Sequence, residues 1–235
     1  MKQIPMLVFT HIPRTGGTSA RNVIFNQIKN YRLIDSFSEF SFLSDKELNS
    51  YDFIATHCGY GIINRINRSH KKIILLRDPF ERIVSHYFYL RKLENDVSYS
   101  SHYAKKLSLN EFICLDNSAV QISINNTQVW HLIEDKNIFF RNKYINYSDT
   151  DLLDIALSHL STYDFVGFTH GLNSVLSKLF QVYEWDATQI NLPQIGKSDR
   201  PNIEDLESDT IELILSKVSL DMLLYNKALE LYDSM

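Results

Sequence analysis

At 235 residues, with 44% hydrophobic and 22% charged side chains, the chain has the length and make-up of a globular protein with a substantial core. Seven glycines and five prolines exclude collagen-like and low-complexity readings and leave little room for long flexible linkers. The formal net charge of −4, from 24 basic and 28 acidic side chains, argues against a protein that coats nucleic acid or a polyanionic sugar, so no nucleic-acid partner is expected.

Residues 4–12 form an apolar run that predicts a buried strand. After Arg14-Thr15-Gly16-Gly17-Thr18-Ser19 comes a helical pattern with Val23, Ile24 and Ile28 on one face. Ser44 and Glu47 carry the capping-box signature of a short helix. Residues 52–56 predict a second strand ending at His57, and residues 72–76 a third that runs into Arg77-Asp78-Pro79. There Asp78 suits the N-cap and Pro79 the first helical position, with Glu81 completing a capping box. The helix that follows has Ile83, Val84, Tyr87 and Leu90 on one face, and Arg82 is expected to pair with Asp78.

Beyond Glu94 the chain turns polar and aromatic, then helical over residues 109–115 behind another box, Ser108 with Glu111. Residues 117–147 carry no clear pattern. Ser148 caps a helix through Leu160, residues 165–168 predict a last strand, and Leu172, Val175, Leu176 and Leu179 mark another helix. Residues 190–202 read as a loop, and two helices fill 203–234. Strands alternating with helices predict an α/β fold with a central, mainly parallel sheet, and strand runs without alternation predict cover on both faces. No internal repeat divides the chain, and residues 1–235 are expected to form one domain.

Cys58 and Cys114 fit neither a disulfide framework nor a zinc-type spacing, and both thiols are expected as small buried hydrophobes in a reducing compartment. The aliphatic runs Met6-Leu7-Val8-Phe9 and Ile73-Ile74-Leu75-Leu76 are strand-length, far short of the ~20 residues that span a membrane. Pro5, His11 and Arg14 interrupt any apolar leader. The expectation is a cytoplasmic protein without a membrane span.

Two segments carry chemistry. In the first, a glycine pair at a strand's carboxyl end lets backbone N–H groups crowd around an anion, and the helix that starts there adds its positive dipole end. Arg14 supplies a full charge, and Thr15, Thr18 and Ser19 offer hydroxyls. The Gly-x4-Gly-Lys-Ser/Thr spacing of the nucleoside-triphosphate loop is absent, and an ordinary strand–turn–helix connection would look the same on this segment alone. In the second, Arg77 leaves a strand where open α/β sheets bind ligands, and Ser85 lies about two helical turns further on.

Taken together, the two segments resemble a known family. His11-Ile12-Pro13-Arg14-Thr15-Gly16-Gly17-Thr18-Ser19 is similar to the 5′-phosphosulfate loop of the Golgi carbohydrate sulfotransferases. The run from Leu76-Arg77-Asp78-Pro79 through Ser85-His86-Tyr87 resembles their 3′-phosphate strand and helix, with the heparan sulfate and uronyl 2-O-sulfotransferases the nearest group. Residues 51–57 and 163–169 agree with that group. The resemblance implies a three-layer sandwich like that of P-loop NTPases, and transfer of a sulfuryl group from 3′-phosphoadenosine 5′-phosphosulfate (PAPS) to an acceptor hydroxyl, on a carbohydrate. It puts Arg14, Thr15, Gly16, Gly17, Thr18 and Ser19 around the 5′-phosphosulfate and Arg77 and Ser85 on the 3′-phosphate. It also makes Gly196-Lys197-Ser198-Asp199-Arg200-Pro201 a basic loop over the nucleotide, with Lys197 and Ser198 toward the phosphates, and brings Asn126-Thr127-Gln128 near the acceptor cleft.

One position departs from the family. Arg14 stands where a lysine usually steadies the bridging oxygen, and arginine keeps the charge but changes the geometry. A sugar hydroxyl needs a general base, and His57, at a strand end on the same sheet edge, matches the family's histidine there. His11, directly before the loop, reads as a brace for the turn, and His86 as structural. No metal is expected, because cations and backbone amides can stabilise a sulfuryl group. The acidic balance favours a weakly charged glycan, a lipid-linked sugar or a small metabolite as acceptor. The alternatives are a nucleotide kinase or NTPase of related fold, and a non-catalytic nucleotide-binding module.

Overall fold

The structure, a computed structural model, describes residues 4–95, 98–134, 141–192 and 200–233. Five strands form one sheet: β1 (Met6–Thr10), β2 (Tyr31–Ile34), β3 (Phe53–Thr56), β4 (His70–Leu76) and β5 (Phe165–Phe168). Their order is β2-β3-β1-β4-β5 and every pairing is parallel. The chain leaves β1 toward one edge and, after β3, crosses to β4 on the other side. The carboxyl ends of β1 and β4 therefore meet at the point where strand order reverses, the usual ligand crevice of such sheets.

The sheet is buried on both faces, as its unbroken aliphatic runs require. Leu7, Phe9, Phe53, Ala55, Ile73 and Leu75 pack against α1 (Gly17–Phe25) and α10 (Leu172–Tyr183). Met6, Val8, Ile54, Ile74 and Leu76 face the other way, onto α8 (Thr127–Ile133), α9 (Asp149–Leu160) and α12 (Ser219–Tyr232). A third cluster joins α4 (Pro79–Lys92), α5 (Tyr99–Lys106), α6 (Leu109–Cys114), α7 (Ser118–Ile124) and α11 (Ser208–Lys217). Phe9 and Phe53 are completely enclosed, and burying such a side chain contributes on the order of 1.5–3 kcal/mol. Two short helices, α2 (Phe37–Phe42) and α3 (Asp45–Leu48), join β2 to β3.

Strand β2 escapes sequence reading. Its four residues, Tyr31-Arg32-Leu33-Ile34, lie at the sheet edge, and only Ile34 is fully buried, so no apolar run announces it. The two helices α7 and α8 occupy the stretch that showed no pattern, and α5 lies in the polar, aromatic stretch after Glu94. The boxes at Ser44–Glu47, Ser108–Glu111 and Ser148–Asp151 are all formed.

Three local expectations fail, the first two because a tertiary partner wins. Asp78 caps α4 by accepting from the Glu81 backbone N–H at 2.9 Å, but the Glu81 carboxylate does not close the box. Two arginines hold it instead. Arg82 is not paired with Asp78: it is fully buried and donates to Ser123 O at 3.2 Å and Thr127 Oγ1 at 3.1 Å. Cys58 is buried as expected, whereas Cys114, at the end of α6, is exposed. No helix among the described residues is long and apolar enough to cross a membrane.

Candidate active site

The loop after β1 is held in a shape that few sequences accept. Arg14 (φ 72°) and Gly16 (φ 90°) both lie in the left-handed region, which turns successive backbone N–H groups toward one side and makes a concavity for an anion. The Thr15 hydroxyl is spent inside the loop: it is buried and donates to Ile12 O at 2.9 Å. From β5's end, Thr169 donates to Thr15 O at 2.9 Å and to Leu76 O at 3.3 Å, tying the loop to β4. At Gly17 the reason for glycine is space, since a Cβ there would overlap the His11 ring. His11 thus braces the turn, stacked between Phe9 and this glycine. His86, on α4, is buried.

The second motif meets the first directly. Arg14 Nε donates to Ser85 Oγ at 3.2 Å, and its guanidinium lies 4.3 Å from the centre of the Tyr89 ring, one turn further along α4. Arg77 Nη1 donates to Arg14 O at 3.1 Å and Nη2 to Glu81 Oε2 at 3.0 Å. Arg200 also reaches Glu81, pairing with its carboxylate and donating to its backbone oxygen at 3.3 Å. Burial lowers the pKa of Arg14, with the positive charges of Arg77 and Arg200 adding to the shift against the aid of Tyr89. Burial likewise lowers that of Arg77, and Arg200 adds to it. Arg14 and Arg77 stay charged at neutral pH all the same, because arginine titrates so far above it.

A buried scaffold holds Arg77 in place. The Gln128 side chain takes both backbone polar groups of Arg77, accepting from N–H at 3.0 Å and donating to C=O at 2.8 Å. Gln128 and Val129 in turn donate their backbone N–H groups to Asp221 at 3.1 and 2.8 Å. Burial raises the pKa of Asp221, opposed first by Arg82, whose own value is pushed down to about 10 by desolvation. Asn126 accepts from the N–H groups of Leu220 and Asp221 at the start of α12. The Asn126-Thr127-Gln128 segment therefore supports Arg77 and Arg82 from beneath.

Loop and helix enclose a cavity of ≈ 400 Å³ whose wall includes Arg14, Gly16, Gly17, Thr18, Ser19, Arg21, Arg77, Tyr89 and Thr169, with His11 at one side. His57 stands beyond His11, its ring centre 4.5 Å away. Its Nδ1 lies 2.6 Å from His11 O, so the hydrogen is on Nδ1, and Nε2 is the basic nitrogen of the neutral ring. That Nε2 is 3.7 Å from Asp35 Oδ1, at the carboxyl end of β2. Lys197 and Ser198 lie outside the described residues.

With that geometry in place, comparison with known proteins decides the family. The family model described as "Sulfotransferase family" matches residues 2–232. The chain belongs to the sulfotransferase family. This sulfotransferase has no match among curated proteins. A crystal structure of mouse sulfotransferase SULT7A1 complexed with PAP is similar over 94% of this chain and 67% of its own, at 12% identity and a TM-score of 0.37.

Sequence reasoning missed Tyr89, gave Glu81 only a capping role, and placed Gln128 near the acceptor cleft without its link to Arg77. Signals for Tyr89 and Glu81 are present: Tyr89 is four residues after Ser85 on the same helix face, and Glu81, in the first turn of α4, is four residues after Arg77. Gln128 carries no such signal, because it reaches Arg77 across 51 positions.

Proposed function

We propose that this sulfotransferase takes its sulfuryl group from PAPS and delivers it to a hydroxyl of a carbohydrate acceptor. The observation that carries this reading is the charge arrangement: Arg14, Arg77 and Arg200 lie close enough to repel one another beside the loop, and of the three only Arg77 and Arg200 pair with Glu81. Three arginines against the carboxylates of Glu81 and Asp78 leave a partly buried site with surplus positive charge, which is costly without a ligand and which a phosphate dianion next to a second anionic group offsets. In this reading the backbone of Arg14 through Ser19 cradles the 5′-phosphosulfate, with the Thr18 and Ser19 hydroxyls available and the Thr15 hydroxyl used to shape the loop. Arg77 and Ser85 take the 3′-phosphate, and the family resemblance makes Lys197 and Ser198 candidates for the phosphates.

The donor supplies an activated sulfuryl group. Arg14 stabilises negative charge on the leaving oxygen, a role in which its fork replaces the family's lysine. His57 removes the acceptor's proton at Nε2, the nitrogen left basic by the Nδ1–His11 bond, and such a base is typically worth about 10²–10⁴-fold. The carbohydrate class rests on the likeness of both motifs to carbohydrate sulfotransferases. Calorimetry with 3′-phosphoadenosine 5′-phosphate (PAP) tests the donor: binding is expected in the wild type and is lost in Arg14→Ala and Arg77→Ala. Binding of ATP with magnesium but not of PAP would favour a kinase instead.

A further inference from the structure

Arg21 is a polar side chain without a partner among the described residues, on the wall of the same cavity. It lies in α1 one turn beyond Gly17, the residue on which the His11 ring packs, and so faces the His11 and His57 side. Its Nε is shielded from solvent, yet Arg21 makes no hydrogen bond or ion pair with any described residue. A buried donor left unmade costs stability, and a guanidinium more than most. The neighbouring arginines behave otherwise: Arg14, Arg77 and Arg200 all have partners. A group that is costly in the bare protein and lines the cavity is explained when a ligand supplies the missing acceptor.

We infer that Arg21 is a further donor-binding residue, hydrogen-bonding an oxygen of the 5′-phosphosulfate from the side opposite Arg77. The inference rests on the PAPS reading above. Arg21 adds a guanidinium at the end of the donor nearest His57, whereas Arg77 and Ser85 hold the other end. Its chemistry is that of an oxyanion clamp, which suits arginine better than lysine because Nε and Nη are fixed in one plane.

The test compares PAPS with adenosine 3′-phosphate, which lacks the 5′ group, on the wild type, Arg21→Gln and Arg21→Lys by calorimetry without acceptor. Arg21→Gln is expected to weaken PAPS about 10- to 100-fold while leaving adenosine 3′-phosphate within about twofold. Arg21→Lys keeps the charge without the fork and is expected to weaken PAPS several-fold. Because the substitution removes an unsatisfied group, ligand-free Arg21→Gln is expected to melt no lower than the wild type. Unchanged PAPS affinity, equal weakening of both nucleotides, or a lower melting temperature overturns the assignment. A wild type that binds neither nucleotide refutes the PAPS reading itself.

Discussion

The side-chain amide of Gln128 pairs with the peptide groups of Arg77 on both sides, accepting one hydrogen bond at 3.0 Å and donating another at 2.8 Å. An arginine at a strand tip has no ladder partner for its backbone once the strand ends, and here a glutamine from a remote helix supplies both. Replacing it with leucine leaves two shielded polar groups unmade. Gln128→Leu is expected to lower stability by about 1–3 kcal/mol in urea unfolding and to weaken PAP binding through a misplaced Arg77. Unchanged PAP affinity with an intact unfolding midpoint would show that Arg77 needs no such support.

Glu81 is shared by Arg77 and Arg200 and is the carboxylate nearest the proposed 3′-phosphate. Glu81→Gln removes a like charge from the path of a dianion while the Asp78 cap keeps α4 in place. PAP affinity is expected to rise about three- to tenfold at low salt, and the melting temperature to fall as Arg77 and Arg200 lose their shared counter-ion. Weaker binding would mean that Glu81 chiefly aims Arg77.

Gly17→Ala puts a methyl group into the His11 ring. The His11 ring lies 4.5 Å from that of His57, and the His11 backbone oxygen accepts from His57 at 2.6 Å, so displacing His11 disturbs His57. A stability cost of about 1–3 kcal/mol is expected from the overpacking. Sulfate transfer is expected to drop by at least about 100-fold, in line with what a misplaced base costs. Retained turnover in a folded Gly17→Ala protein would detach His57 from the chemistry.

Arg14→Lys keeps a cation at the loop but loses the Nε bond to Ser85 and the stacking on Tyr89. PAP affinity is expected to fall by about three- to tenfold with sulfate transfer preserved, whereas Arg14→Ala loses both. Transfer measured with radiolabelled PAPS separates the two variants, and equal loss in both would show that the fork itself is essential.

Asp221 offsets the buried Arg82 and collects two backbone N–H groups of α8. Asp221→Ala strands Arg82 and is expected to cost about 3–5 kcal/mol in chemical unfolding. Combining it with Arg82→Met is expected to restore a large part of that loss. A double variant no more stable than the single would show that the two charges are uncoupled.

Strands β1, β3, β4 and β5, the helices capped by Ser44, Ser108 and Ser148, and both candidate anion-binding segments were legible in the chain itself. Each is written in residues close together: an aliphatic run, a serine three positions before an acid, a glycine pair after a strand. The same locality explains the failures. Edge strand β2 has one fully buried residue and so no hydrophobic signature, and α7 and α8 are short helices fixed by their packing. Glu81 reads as a cap residue until Arg200, 119 positions away, joins Arg77 in claiming its carboxylate. Arg82 has Asp78 within one helical turn, yet burial turns it toward Ser123 and Thr127. Local hydrogen bonds and hydrophobic periodicity specify elements, and so the sequence by itself determined the parallel sheet and its two phosphate-type motifs. Which charged group neutralises which depends on desolvation and on contacts that exist only after the chain has closed, so the arrangement of Arg14, Arg77, Glu81 and Arg200 was decided by the tertiary structure alone.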